Sequence, residues 1–377
     1  MGVKAALQMI SWDRSCIYNL KRFHLQSPGK TLMERALEEV GTPNRRTLSS
    51  YFVPYLISRT GAERKYYKEK GTFSFSLYLK LKTMGAANKT TGAKYTFSGH
   101  ESFPCKSLWL KKGYDFIVAG NDFNSPEAVI GLGVGKNMVA SIRFWMKAFG
   151  LTENDEITWL GNYLFDDNNG KDKYLEDIAT LWLLHFNLVF SEEATLYKMF
   201  FCGVQRERSH FEREHIVTYV KLRMAEAGKM TIFNVNTIKK DIGVLLQNYT
   251  LPRKPQSNED FSSLLIDLDL IRQNTEGKGY FFNVDGKRKV TKEIFLYGLL
   301  KLKELDGDNT ISFDTIQERV GLVFCMQDFE TIEMLKQLAN DYSQYFAYSD
   351  VAGIKQVQFT KDLDFKQVLE NYYGTDI

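Results

Sequence analysis

The chain has 377 residues, 44% of them hydrophobic, with a formal net charge of +3; it is long enough for two or three domains with cores of their own, and needs no disulfide or metal staples. Its cysteines, Cys16, Cys105, Cys202 and Cys325, are too scattered for a zinc knuckle or a redox motif and read as reduced thiols. There is no apolar run long enough to span a bilayer and no leader with a cleavage site, which argues against a membrane protein and against secretion and makes the cytoplasm the expected location.

Divided along the chain, the charge separates. Residues 1–95 carry 17 Lys or Arg against 6 Asp or Glu, a net of +11, and residues 96–377 carry 32 against 40, a net of −8. Clustered cations of this kind gain affinity for a polyanion by releasing its counterions. Within the basic segment, "KTLMERALEEV" and "TLSSYFVPYLI" have helical spacing, and Phe73, Phe75, Leu77, Leu79 and Leu81 alternate as in a strand. Residues 1–95 therefore read as a small winged-helix-like module followed by a linker, or as a basic extension without a partner of its own.

The second segment, 96–255, opens with "SGHESFPCKSLWLKKGYDFI", a loop feeding a helix. In "SPEAVIGLGVGKNMVASIRFWMKAFGL" the Ser-Pro-Glu start, the glycines and the helical spacing predict helix, turn, helix. A phosphate loop needs G-x-x-x-x-G-K-S/T; here Ile130 stands where the first glycine belongs and Asn137 where the hydroxyl belongs. Ala128, Leu132 and Val134 flank the turn at Gly133, and Val139, Ile142, Met146 and Phe149 are expected to pack inward. The opposite face carries Lys136, Asn137, Ala140, Arg143, Phe144 and Lys147, side chains suited to phosphates and base edges. A helical hairpin with a solvated basic face is the alternative.

No cofactor, metal or catalytic set is evident. His185 lies in the apolar run "WLLHFNL" and reads as a core histidine. His210 and His215 are five apart, not the four of a zinc-binding helix, and His100 has only Glu101 beside it. "DDNNGKDKYLED" lacks the alternation and the final glutamate of a calcium loop, and is expected to cap the next helix.

The third segment, 256–377, holds an expected hairpin turning at Asp285 and Gly286, with Lys287, Arg288 and Lys289 as candidate backbone-gripping cations. The helix "TKEIFLYGLLKLKEL", two further helices and a hairpin about Asp350 and Gly353 follow, the order of a winged helix. No internal sequence repeat is apparent. The fold class expected is mainly α with small β-hairpins (α+β), multidomain, built from winged-helix and helix-turn-helix-like units.

"FSGHESFPCKSLWLKKGYDF", "LGVGKNMVASIRFWMKAFGL", "KYLEDIATLWLLHFNLV", "VNTIKKDIGVLLQNY" and "VAGIKQVQF", in this order, resemble the bacterial and archaeal proteins grouped as domain of unknown function 4007. The resemblance implies an accessory component encoded near DNA phosphorothioation or phage-defence genes, often beside a sulfur-transfer enzyme related to phosphoadenosine-phosphosulfate reductases. It supplies no catalytic set. Ser98, Gly99, His100, Glu101, Phe103 and Pro104 are motif residues with a shared structural or binding role. The expected function is noncatalytic DNA binding and assembly in such a system; an adaptor for a sulfur-transfer enzyme or ATPase, without DNA contact, is the alternative.

Overall fold

A computed structural model describes residues 95–252, 262–274 and 279–374. The helices and strand expected before residue 95, and the boundary expected at 255, lie outside the described residues. Residues 93–377 form one compact unit. Its buried apolar side chains make one cluster from Cys105 to Leu369.

Helices α1 (Trp109–Val118), α2 (Ala128–Leu132) and α3 (Lys136–Ala148) pack on one another and lead into a hairpin, β1 (Thr152–Glu153) and β2 (Glu156–Ile157). Ser125 starts the turn into α2, its hydroxyl accepting the Glu127 N–H. Gly133 ends α2 in the left-handed conformation (φ 61°), which glycine adopts without a Cβ clash. The four side chains expected to pack inward after the turn are buried, as are Ala128 and Leu132 beside it, whereas Val134 is only partly buried.

After α4 (Trp159–Phe165) the acidic loop spends its oxygens on local backbone. Asp166 accepts the Asn168 and Asn169 N–H groups, and Asp172 accepts those of Glu176 and Asp177. Asp177 then caps α5 (Ile178–Phe190), as the sequence led us to expect. Apolar on every side, α5 runs through the middle of the core.

Two stretches follow with the same order of elements. The first is α6 (Thr195–Met199, prolonged by a π-helical turn at Phe200–Val204), β3 (His210–Phe211), α7 (Arg213–Glu226), α8 (Val235–Tyr249), β4 (Ile271–Gln273) and β5 (Tyr280–Phe282). The second is α9 (Lys292–Asp306), β6 (Thr310–Ser312), α10 (Phe313–Ile316, prolonged by a π-helical turn at Gln317–Gly321), α11 (Asp328–Asp341), β7 (Phe346–Val351) and β8 (Ile354–Phe359). Each is helix, strand, helix, helix, strand, strand. Each sheet is antiparallel with its last strand central, β3-β5-β4 and β6-β8-β7. A repeat invisible in the sequence is therefore present in the topology. α12 (Phe365–Tyr373) packs back on α9.

The β7–β8 hairpin turns at Ala352 and Gly353, both with positive φ, close to the position expected. The hairpin expected at Asp285 and Gly286 does not form. Strand pairing is one turn earlier, between Ile271–Gln273 and Tyr280–Phe282. Asn283 then draws the chain off the sheet, donating to the Asp269 carbonyl and accepting the Gly286 N–H. The Asp-Gly pair marks a turn, but "KRKV" beyond it lacks the alternating apolar side chains a strand needs to cover a core face.

Candidate nucleic-acid interface

Helix α3 begins at Gly135 without a side-chain cap, leaving its first N–H groups and the positive end of its dipole at the surface. Lys136, Asn137, Ala140 and Lys147 are exposed; Arg143 and Phe144 are half-buried. Lys136, Ala140, Arg143, Phe144 and Lys147 border a cleft of about 930 Å³, closed on its other sides by Phe123–Pro126 and by Asn154 and Asp155 of the β1–β2 turn. The cleft has a cationic rim and an apolar floor.

Two of its cations are engaged from within the chain. Arg143 donates through Nε to Asp155 Oδ1 (2.8 Å), through Nη2 to Asp155 Oδ2 and through Nη1 to Asn124 Oδ1 (2.9 Å). The guanidinium hydrogen bond holds the Asp155 carboxyl below the usual carboxylate range. Lys147 pairs with Glu193 at 3.1 Å. Among the described residues Lys136 makes no ion pair. The sequence reading missed Asn154 and Asp155, because strands of two residues carry no detectable alternation.

Phe144 points away from the exposed stripe toward the motif loop. A Cβ on Gly99 would stand 2.8 Å from the Phe144 ring, and Gly99 has φ +119°, so only glycine fits. His100 is buried beside Phe144 and Trp145, with ring centroids at 5.7 and 6.1 Å. Its Nδ1 accepts the Ser102 N–H (3.2 Å), and its Nε2 faces Asp241 Oδ1 at 3.2 Å without the alignment of a hydrogen bond. Asp241 Oδ2 accepts the Ser98 N–H (2.9 Å). With both ring nitrogens occupied, His100 has no free lone pair for a substrate proton.

The same loop is tied down twice more. Trp145 Nε1 donates to the Phe103 carbonyl (3.1 Å), and the Cys105 N–H donates to Asn248 Oδ1 (3.0 Å). Phe144 and Trp145 belong to α3, Asp241 and Asn248 to α8. The loop of Ser98–Pro104 is thus a clamp between these two helices. Glu101 is exposed and Pro104 buried.

Lys287, Arg288 and Lys289 do not line the cleft. The Lys287 ammonium is turned inward, 3.1 Å from both Glu330 oxygens, while Arg288 and Lys289 are exposed. His185 is a core histidine, its ring bonded to the Tyr249 hydroxyl and the Val323 carbonyl, both at 2.7 Å, and burial lowers its pKa to about 4. His215 Nδ1 accepts the Glu212 N–H at the start of α7. Among the described residues no group of three or more His, Cys, Asp or Glu is gathered to hold a metal ion. Burial pushes the Cys105 thiol up, and those of Cys202 and Cys325 to about 12. No helix among the described residues is long and apolar enough to cross a membrane.

The clamp joins two of the motifs that mark the family, "SGHESFP" and "VNTIKKDIGVLLQNY", and residues 97–373 match the family model described as protein of unknown function, DUF4007. The chain belongs to this family. Two solved structures resemble this DUF4007 chain, one of magnesium ion-bound SspB and one of SspB. Each has 24% identity and a TM-score of 0.65, covering 74% of this chain and 88% of the other. At that identity the likeness carries the fold. No curated protein matches.

Proposed function

We propose that the protein is a DNA-binding and assembly component of a DNA-modification or defence system, of the phosphorothioation type that its family resemblance implies, acting by binding and not by chemistry of its own. The observation carrying this reading is the recurrence of one element order. Helix, strand, helix, helix and hairpin, with the hairpin's second strand central, is the order of a winged helix, a relative of the helix-turn-helix whose last helix meets DNA. The first three helices and the β1–β2 hairpin form a shorter version. In it α3 takes the reading position, with Lys136 and Asn137 at its start and Arg143 and Lys147 along the cleft.

The deciding measurement is duplex binding by the full chain over a salt series. Lys136→Glu is expected to weaken binding and flatten the log–log salt slope, by about 1 for each phosphate that the variant no longer neutralises. Unchanged affinity removes α3 from the interface.

A protein-contacting role has its own support. α11 exposes Asp328, Phe329, Glu333 and Asp341 with a single lysine, Lys336, and the neighbouring hairpin exposes Val351 and Ile354, a surface of acidic and apolar excess that suits a protein better than phosphates. In this second reading the chain is an adaptor for a sulfur-transfer enzyme or ATPase. Assembly of the purified proteins without DNA, with no duplex binding by this chain alone, selects it.

A further inference from the structure

Helix α8 has one face locked and one face free. Ile238, Asp241, Ile242, Leu245 and Tyr249 are buried, with Asp241 held by the motif loop. Val235, Asn236, Lys239, Lys240 and Gln247 are exposed. At 3.6 residues per turn these five fall in a single stripe. Among the described residues Lys240 makes no ion pair, and Lys239 pairs only with the exposed Glu214 at 2.8 Å, a weak kind of contact that another anion displaces readily.

Gly243 sits in the same stripe. A glycine inside a helix lowers stability relative to alanine, and one is usually kept there because a neighbour crowds it. Here, among the described residues, an added Cβ would meet nothing within 4 Å. No contact among the described residues accounts for it. The open space leaves room for a partner to approach the helix backbone closely from outside.

The repeat supplies the comparison. α11 occupies the corresponding place in the second unit, with the same element order and the same sheet order. Its exposed positions are Asp328, Phe329, Glu333, Lys336, Gln337, Asn340 and Asp341, with Lys336 paired to Glu333 and Asp341 paired to Lys292. Both faces carry two amides, but the charge differs: two lysines and no acid in the first copy, three acids and one lysine in the second. A polyanion fits the first and is repelled by the second.

We propose that α8 is a second DNA-reading helix, which enters the major groove of a B-form duplex with its Asn236, Lys239, Lys240, Gly243 and Gln247 face. The proposal rests on the reading that the protein binds DNA and extends it to a contact surface on a different unit. The lysines neutralise phosphates, the two amides present donor and acceptor atoms to base edges, and Gly243 lets the helix backbone lie close. The major groove of B-DNA admits a helix, whereas that of A-form RNA is too narrow. The clamp on Asp241 fixes which side of α8 faces outward.

The test uses the full chain and a fluorescent mixed-sequence DNA duplex, titrated over a salt series, with thermal unfolding of every variant. Lys240→Ala is expected to weaken binding several-fold and to lower the salt slope by about 1. Gly243→Ala is expected to raise the melting temperature while weakening duplex binding, and Gly243→Leu to weaken it further. A glycine without a role in binding gives the first effect alone. If Lys136→Glu weakens binding while the Lys240 and Gly243 variants bind as wild type, the α8 assignment is overturned and the DNA reading stands. Equal competition by duplex RNA overturns the major-groove placement. If the wild-type chain binds no duplex even at low salt, both readings fall.

Discussion

His185 lies between the Tyr249 hydroxyl and the Val323 carbonyl with no solvent contact, so protonation would leave an imidazolium in the core. Its folded pKa, about 4, is below the ordinary value of 6.5, so the unfolded chain takes up the proton first. The neutral ring's contribution is complete above about pH 6.5 and is lost as the pH falls toward 4, to a total of about 3 kcal/mol. Urea denaturation across that range is expected to show the loss in the wild type and to show it diminished in His185→Gln. Asp241 is the second test at this scale. Asp241→Ala strands the Ser98 N–H and removes the His100 contact, which is expected to cost about 1–3 kcal/mol in the same measurement. Neither partner was legible in the sequence. His185 could be read as a core residue because its neighbours are apolar, but its partners are 64 and 138 positions away. No local spacing encodes such a meeting.

At the scale of elements, α3 was legible and the hairpin after it was not, for one reason. Thirteen residues of α3 repeat their apolar positions over more than three turns, whereas β1 and β2 are two residues each. The hairpin nevertheless shapes the candidate site. Its turn residues Asn154 and Asp155 both have positive φ, as in the turns that suit two-residue hairpin loops, and this aims Asp155 at Arg143. If the cleft receives phosphate, Asp155 opposes it twice, by its own charge and by occupying the guanidinium. Asp155→Asn is therefore expected to tighten duplex binding at low salt, by up to about tenfold, with a steeper salt slope. Weaker binding in that variant would mean that the carboxylate orients Arg143 for its contact. The β3-β5-β4 sheet escaped sequence reading in the same way as β1 and β2, since His210 and Phe211 pair with Phe281 and Tyr280 roughly seventy positions on. The Asp285–Gly286 dipeptide misled for the opposite reason, being a strong local turn signal without a strand beyond it.

For the whole molecule, the charge division has a consequence of its own. The described unit belongs to a segment with a net of −8, and its two basic helix faces are small islands on it. Residues 1–95, at +11, hold most of the surplus cations. If they grip the duplex backbone, a chain starting at Ala93, where the compact unit begins, is expected to bind with a salt slope smaller by several units. An unchanged slope would assign the phosphate contacts to α3 and α8 alone. Composition made this division plain, while the doubled topology needed the folded chain, since pairing patterns repeat here without repeating side chains.

The clamp of Ser98–Pro104 also bears on the order of folding events. Ser98, Gly99, Glu101 and Ser102 all have positive φ, a run that three non-glycine residues adopt only when their surroundings hold them there. What holds them includes Asp241, 143 positions from Ser98, and that contact exists only after the intervening helices have assembled. A segment held by so distant a partner is expected to close late in folding. Substitutions at Ser98, His100 or Asp241 are therefore expected to speed unfolding in stopped-flow experiments while leaving the refolding rate near that of the wild type.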